Sequence, residues 1–216
     1  MKQLVLLIII LALSVLPCAA QFADPPQLEK ASVKAKASLG ELALIAQQVD
    51  PKSLGFDNRE QIKWAMPGAP VVDYMIRLDE LQKYQPGQPA SKLLHATGRL
   101  IYPLEVNRNP QSSVVLTFKE QGWVVESFGA TSQTKMFAKQ RRTVAEKVGR
   151  SEKELFQVRV PALQLMFVGV ELDGRLSFTP LFEMSLYGLR EGQSYPAEQV
   201  LEMLLPAARK HNGEPT

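Results

Sequence analysis

The sequence has almost none of the residues that build disulfides and transition-metal sites. Among its 216 residues there is one cysteine, Cys18, and there are two histidines, His95 and His211. A single cysteine cannot form an intramolecular disulfide, and two histidines fall short of the three or four ligands that a zinc site needs. We therefore expect no disulfide framework, no metal site and no cofactor.

An excess of charge of one sign is also missing. The 25 basic residues against 22 acidic ones leave a net charge of +3, and only 7% of the residues are aromatic. A nucleic-acid-binding surface usually needs a clustered basic patch interleaved with aromatic side chains, so we expect no nucleic-acid partner. The 45% hydrophobic content is enough to bury the core of one or two domains.

The N-terminus carries the one long hydrophobic run, over residues 4–16. Lys2 gives a positive start, and Ala20 ends a stretch of small residues that suits signal peptidase. As a helix the run would reach about 20 Å, too short for a hydrocarbon core of about 30 Å. The pattern predicts a signal peptide over 1–20 that is cleaved after Ala20, which places the mature chain in the periplasm or the medium.

Lipidation of Cys18 is the alternative at this end of the chain. A lipidated cysteine usually follows a small residue, whereas Cys18 follows Pro17. We therefore favour ordinary cleavage, after which the mature chain contains no cysteine. Such a chain needs no oxidative folding outside the cytoplasm.

A stripe of apolar or small residues with three-four spacing predicts a long helix over 28–49. Its members are Leu28, Ala31, Ala35, Ser38, Leu42, Ile45 and Val49. Such a stripe packs on the chain's own sheet or forms a coiled-coil seam with a second copy. We favour packing on the sheet because small residues occupy much of the stripe. Self-association through 28–49 stays open.

Alternating apolar residues predict two groups of strands separated by a central helix over 130–149. The first group covers 71–76, 100–106, 114–118 and 123–128, and its last two strands should pair antiparallel. The second group covers 156–160 and 163–172, and Asp173-Gly174 then turns the chain back through Phe178. Pro103 lacks a backbone donor and predicts an edge position for its strand.

Helices and strands in blocks, rather than in strict alternation, indicate an α+β fold. We expect mainly antiparallel sheet(s) packed by an N-terminal, a central and a C-terminal helix. The C-terminal helix should follow Tyr195-Pro196 and present Val200, Leu201, Leu204 and Leu205 on one face. Residues 21–216 would form one α+β body, with two possible sub-blocks over 24–129 and 130–210.

Common catalytic signatures are absent from the sequence. Val125-Glu126-Ser127-Phe128-Gly129 lacks the first glycine of a nucleophile elbow, and no glycine-rich phosphate loop occurs. Asp73 and Glu126 are the candidates for a carboxylate pair, in a cleft shared with Tyr74 and Trp123, and His95 is the candidate base. These residues define the enzymatic alternative, a hydrolase of the cell envelope.

Two further sets of residues indicate binding. A pocket between sheet and helix would be lined by Tyr74, Tyr102, Trp123 and Phe128. Lys135, Lys139 and Arg142 share a helix face that suits an anionic surface or an acidic partner, although a solvated face is the commoner outcome. The sequence favours an exported, non-catalytic protein that binds a small molecule or an envelope protein, or supports the envelope. The alternatives are the hydrolase and a structural protein that self-associates.

Overall fold

A single mixed sheet with helices on both faces organises the chain. The computed structural model describes residues 25–129 and 131–212. The predicted signal peptide and Cys18 lie outside these ranges. No helix within them is long and apolar enough to span a membrane.

The described ranges contain five α-helices and nine strands, which confirms the α+β class. The helices are α1 (Pro25–Gln48), α2 (Arg59–Lys63), α3 (Leu78–Lys83), α4 (Thr131–Val148) and α5 (Ala197–Lys210). The strands are β1 (Met66–Pro67), β2 (Val71–Met75), β3 (His95–Val106), β4 (Asn109–Lys119), β5 (Gly122–Phe128), β6 (Phe156–Val160), β7 (Leu165–Leu172), β8 (Arg175–Pro180) and β9 (Tyr195–Pro196).

The strands follow the order β5-β4-β3-β2-β6-β7-β8-β9, and β1 pairs with β3 beside β2. The strands before α4 form one half of the sheet and those after it form the other. The halves meet where β2 and β6 run parallel, while every other pair of named strands is antiparallel. Because β6 joins the sheet beside β2, α4 must cross one face of the sheet to connect β5 with β6.

Two predicted hairpins are confirmed. Asp173 and Gly174 both have positive φ, 51° and 74°, and Leu172 pairs with Arg175 across them. A two-residue turn in which both residues have a left-handed backbone conformation matches the twist of the flanking strands, and Asp-Gly adopts this conformation readily. Strands β4 and β5 pair antiparallel with Phe118 opposite Trp123.

The predicted edge position of the Pro103 strand is wrong. Strand β3 lies between β4 on one side and β1 and β2 on the other. The Pro103 carbonyl accepts a hydrogen bond from the Gly68 N–H at 2.8 Å, so the proline nitrogen faces the same side. That side is the gap between β1 and β2, where no strand needs the missing donor.

Helices α1, α3 and α5 cover one face of the sheet. Buried Ala31, Ala35 and Leu42 of the predicted α1 stripe pack against Leu100 and Tyr102 of β3. Helix α5 buries the predicted residues Val200, Leu201, Leu204 and Leu205 against the other half of the sheet. Val72 packs against the buried residues under α1 and also against those under α3 and α5, so these two clusters lie on the same face of the sheet.

Helix α4 covers the opposite face. Its Phe137, Val144 and Ala145 pack against Val71 and Val168. Gly149 ends the helix with a φ of 67°, as expected of a left-handed C-terminal residue. Part of this face beside α4 is left open, and the polar residues described below lie there.

Replacing Gly169 by alanine should destabilise the protein. Gly169 lies opposite Phe156 in the β6–β7 pair, and a Cβ there would overlap the Phe156 ring, which packs edge-on against Tyr74. We expect Gly169→Ala to lower the free energy of unfolding by about 1–3 kcal/mol, the usual cost of overpacking. Urea unfolding measures this loss.

The matched control is Gly40→Ala on the exposed side of α1. No atom lies within 4 Å of a Cβ built at Gly40. We expect this change to stabilise the protein by about 0.5–1 kcal/mol, because alanine favours helix more than glycine does. Equal stability of Gly169→Ala and the wild-type protein would show that the close approach is not required.

Candidate functional site

A cavity of about 590 Å³ lies between α4 and the face of the sheet that α4 covers. Val71, Ile101 and Val115 of the sheet and Phe137 of α4 give it apolar walls, and Phe182 contributes from the segment after β8. The volume lies within the usual range for small-molecule sites, about 300–1,000 Å³.

The polar part of the cavity is built around Asp73, a carboxylate with 0% exposure on β2. Arg159 donates to both of its oxygens, from Nε at 2.8 Å and from Nη2 at 2.5 Å. Gln157 Nε2 and Thr97 Oγ1 donate at 2.9 and 3.0 Å. Four donors therefore satisfy this carboxylate, which is the condition for burying its charge.

The sheet register explains why these residues meet. Asp73 pairs with Gln157 across the parallel β2–β6 junction, which puts both side chains on the face that α4 covers. Arg159 lies two residues after Gln157 and shares that face because strand side chains alternate. Its hydrogen bonds to Asp73 raise the pKa of Arg159 above the usual value for arginine, and burial opposes this effect only in part.

Arg99 of β3 is less completely partnered than Arg159. Its Nη2 lies 2.9 Å from Glu126 Oε1, and its Nη1 lies 3.9 Å from Asp73 Oδ2, beyond hydrogen-bond distance. Its Nε is buried and has no hydrogen-bond acceptor within the described parts of the chain. Glu126 also accepts from the Thr117 hydroxyl, so much of its capacity is already used.

Arg141 of α4 closes the cavity at its other end. Its side chain is buried, and within the described part of the chain its guanidinium donates to three backbone carbonyls and to no carboxylate: Glu152 at 2.7 Å, Ala69 at 3.0 Å and Pro70 at 2.7 Å. Burial lowers the pKa of Arg141 to about 10, against the opposing attraction of Glu152 and Glu105. The group stays charged at neutral pH and fastens α4 to the start of β2.

Asp73 and Glu126 do come together, and Arg99 lies between them. The structure separates them from Tyr74 and Trp123, which face the other side of the sheet. Tyr74 belongs to the cluster under α3 and α5, and Trp123 lies under α1, where its Nε1 donates to the Gln27 carbonyl at 3.1 Å. The predicted shared cleft is therefore divided by the sheet itself.

The other two predicted aromatic residues also lie under α1. The Tyr102 hydroxyl lies 3.2 Å from Ser32 Oγ, and Phe128 packs against the same cluster. All four aromatic residues are thus in the packing of the face opposite the cavity. Ligand binding by them stays a prediction.

The remaining predicted residues lie outside the cavity. His95 contacts Glu80, with 2.5 Å between Nε2 and Oε2, at a half-exposed position. Lys135 and Lys139 are exposed on α4, whereas Arg142 is half-buried and contacts Glu152 and the Arg108 carbonyl. Within the described ranges, no group of three or more His, Cys, Asp or Glu side chains is placed to hold a metal ion.

The predictions from the sequence do not identify Arg99, Arg141 and Arg159 as residues of the candidate site. A signal was present, because Asp73, Gln157 and Arg159 occupy the polar positions of strands whose neighbours are apolar. Opposite charges at inward-facing positions of a buried sheet indicate mutual pairing. The register that joins β2 to β6 was not part of the prediction.

An apolar cavity with a few converging polar groups is the usual form of a small-molecule site. The arrangement places this chain among α+β proteins with a candidate ligand pocket between sheet and helix. Comparisons with protein-family models, curated proteins and solved structures found no match for the chain.

Proposed function

We propose that this chain is an exported, non-catalytic binding protein whose small-molecule ligand occupies the cavity beneath α4. The observation that carries the proposal is the cavity of about 590 Å³, which has apolar walls. The Arg99 and Arg159 side chains line its polar end beside Asp73, which we call the floor. Export is supported by the sequence pattern of residues 1–20.

The geometry favours binding over hydrolysis by the Asp73–Glu126 pair. A general acid or base must exchange a proton with the substrate, and a nucleophilic carboxylate must reach it. All the oxygen capacity of Asp73 is engaged by Arg159, Gln157 and Thr97. Glu126 contacts Arg99, and His95 lies beside Glu80 instead of beside either carboxylate.

The geometry gives less support to self-association through α1. The buried side of the predicted stripe already packs on the chain's own sheet, so a second copy would have to use the outer side of the helix. Self-association remains a second prediction, as does docking of Lys135 and Lys139 on an anionic surface. Neither explains the cavity.

NMR titration with two isosteric probes, 2-naphthoate and 2-naphthamide, tests ligand binding. We expect at least one probe to give saturable shifts of backbone amides around the cavity, at Ile101, Phe137 and Met166. Val115→Phe should weaken this binding at least about tenfold, because a phenyl ring at this wall takes up the ligand's space.

The control is the same substitution on an exposed surface. Val33 is 64% exposed on α1, away from the cavity, so Val33→Phe should leave the affinity unchanged. The proposed function is wrong if neither probe shifts the cavity amides. It is equally wrong if a correctly folded Val115→Phe variant binds as tightly as the wild-type protein.

A further inference from the structure

The partners of Arg99 and Arg159 indicate the chemical class of the ligand. Two guanidinium groups provide ten N–H donors, of which Asp73 accepts two, both from Arg159. Among the residues that the structure describes, the buried Nε of Arg99 has no acceptor, and its Nη2 has one close carboxylate contact, to Glu126. The floor of the cavity therefore offers more donors than its carboxylates can use.

The charges at the floor nevertheless balance. Arg99 and Arg159 face Asp73 and Glu126, two cations against two anions. A doubly charged group would meet no net positive charge here and would have to approach both carboxylates. A singly charged group with two acceptor oxygens fits better, since it uses the spare donors at a smaller electrostatic cost.

The walls indicate the rest of the ligand. Pro70, which accepts from Arg141, and Asp73, which accepts from Arg159, are three residues apart on one stretch of backbone. At about 3.3 Å per residue the two polar ends of the cavity are about 10 Å apart. Val71, Ile101 and Phe137 lie between them, so the middle of the cavity suits a ring or a short hydrocarbon chain.

We propose that the cavity binds an amphipathic monocarboxylate. Its carboxylate would contact Arg99 and Arg159, and its apolar part would pack against Phe137, Val71 and Val115. This inference rests on the proposed function and narrows it to one ligand class. It assigns Arg99 as the residue that selects the charge of the ligand. Arg159 has a double role, because it also neutralises Asp73.

Comparing the affinities of 2-naphthoate and 2-naphthamide tests the class. The two have the same ring and nearly the same shape, so their affinity ratio isolates the charge. We expect naphthoate to bind at least about tenfold more tightly, as is usual for a charge-assisted hydrogen bond at a partly buried arginine. We expect 2-naphthyl phosphate, the doubly charged analogue, to bind no more tightly than naphthoate.

Two variants should change the ratio of naphthoate affinity to naphthamide affinity in opposite directions. Arg99→Gln should bring the naphthoate-to-naphthamide affinity ratio close to about one, because the spare donors and the charge are lost. Glu126→Gln should raise naphthoate affinity severalfold and leave naphthamide unchanged, because Arg99 loses its anionic neighbour. Arg77→Gln is the control: Arg77 pairs with Asp79 at an exposed position, and its loss should not change the ratio.

Each outcome is decisive. Equal binding of the two probes, or an unchanged ratio in Arg99→Gln, overturns the monocarboxylate inference and leaves the binding function in place. Clearly tighter binding of the phosphate also overturns it. Binding of neither probe removes the proposed function itself. Glu126→Gln decides the inference on its own if Arg99→Gln fails to fold, because an unchanged naphthoate affinity contradicts it.

Discussion

Asp73→Asn should lower the free energy of unfolding by about 3 kcal/mol, the largest effect we expect from a single isosteric change. The substitution keeps the size of a fully buried side chain and removes the charge that Arg159 contacts through two hydrogen bonds. Breaking a buried pair from one side costs about 3–5 kcal/mol, because the partner charge stays behind. The Arg159 side chain is 26% exposed, so solvent relieves part of that cost.

The control is Asp79→Asn. Asp79 also contacts an arginine, Arg77, but both side chains are 53% exposed. Exposed pairs contribute about 0–1 kcal/mol, so Asp79→Asn should change stability by less than about 1 kcal/mol. Urea unfolding of both variants measures the difference. Similar losses at the two positions would contradict the buried network.

A double-mutant cycle tests the pairing itself. Arg159→Met should cost less in the Asp73→Asn background than in the wild-type protein, because the unpaired charge is then removed. We expect a coupling energy of about 1–3 kcal/mol for residues in direct contact. Additive losses would show that Asp73 and Arg159 stabilise the fold independently.

Arg141→Met should lower the free energy of unfolding by about 3 kcal/mol. The substitution replaces the guanidinium by an unbranched apolar side chain of similar length and removes the donor to the carbonyls of Ala69 and Pro70. The Glu152 carbonyl also loses Arg141 but still accepts from the Leu155 N–H at 3.2 Å. A partly buried acceptor that loses a charged donor costs about 1 kcal/mol or more. Relief of the burial that lowers the Arg141 pKa offsets part of the loss.

The neighbouring arginine supplies the control for this prediction. Arg142 has a 43% exposed side chain, and its Nε lies 3.4 Å from Glu152. We therefore expect Arg142→Met to cost less than about 1 kcal/mol. Arg141→Met should also weaken probe binding, because it releases α4 from the start of β2. Equal stability of the two variants would contradict the anchoring role of Arg141.

Much of the local structure could be predicted because the local signals agree with the tertiary structure. Asp173-Gly174 forms the predicted turn, and Gly149 ends α4 where a left-handed residue is needed. The α1 stripe packs on the sheet because Ala31 and Ala35 allow close approach of the helix. In each case the residue type and the spacing carry the same information.

The edge position predicted from Pro103 was wrong because a proline lacks only the backbone N–H donor, while its carbonyl can still accept a hydrogen bond. A proline is excluded only where a neighbouring strand needs its N–H. At Pro103 the break between β1 and β2 removes that need, and the Gly68 N–H uses the carbonyl. A break in a neighbouring strand cannot be deduced from the residues around the proline.

The site could be predicted only in part. The sequence predicts Asp73 and Glu126 as candidates for a carboxylate pair, but it does not predict that Arg99 contacts both of them. Arg99 lies on β3, which the sequence does not place beside β2, and the parallel β2–β6 pair spans more than eighty residues of sequence. Arg141 resembles its basic neighbours on α4, and only the docking of the helix distinguishes a buried arginine from exposed lysines.

A crystal structure of the protein with 2-naphthoate tests the central claim most directly. We expect the naphthalene ring between Phe137 and the sheet, and the carboxylate within hydrogen-bond distance, about 2.7–2.9 Å, of an Arg99 nitrogen. A cavity without the probe in crystals soaked to saturation, or a probe bound elsewhere on the molecule, would contradict the account.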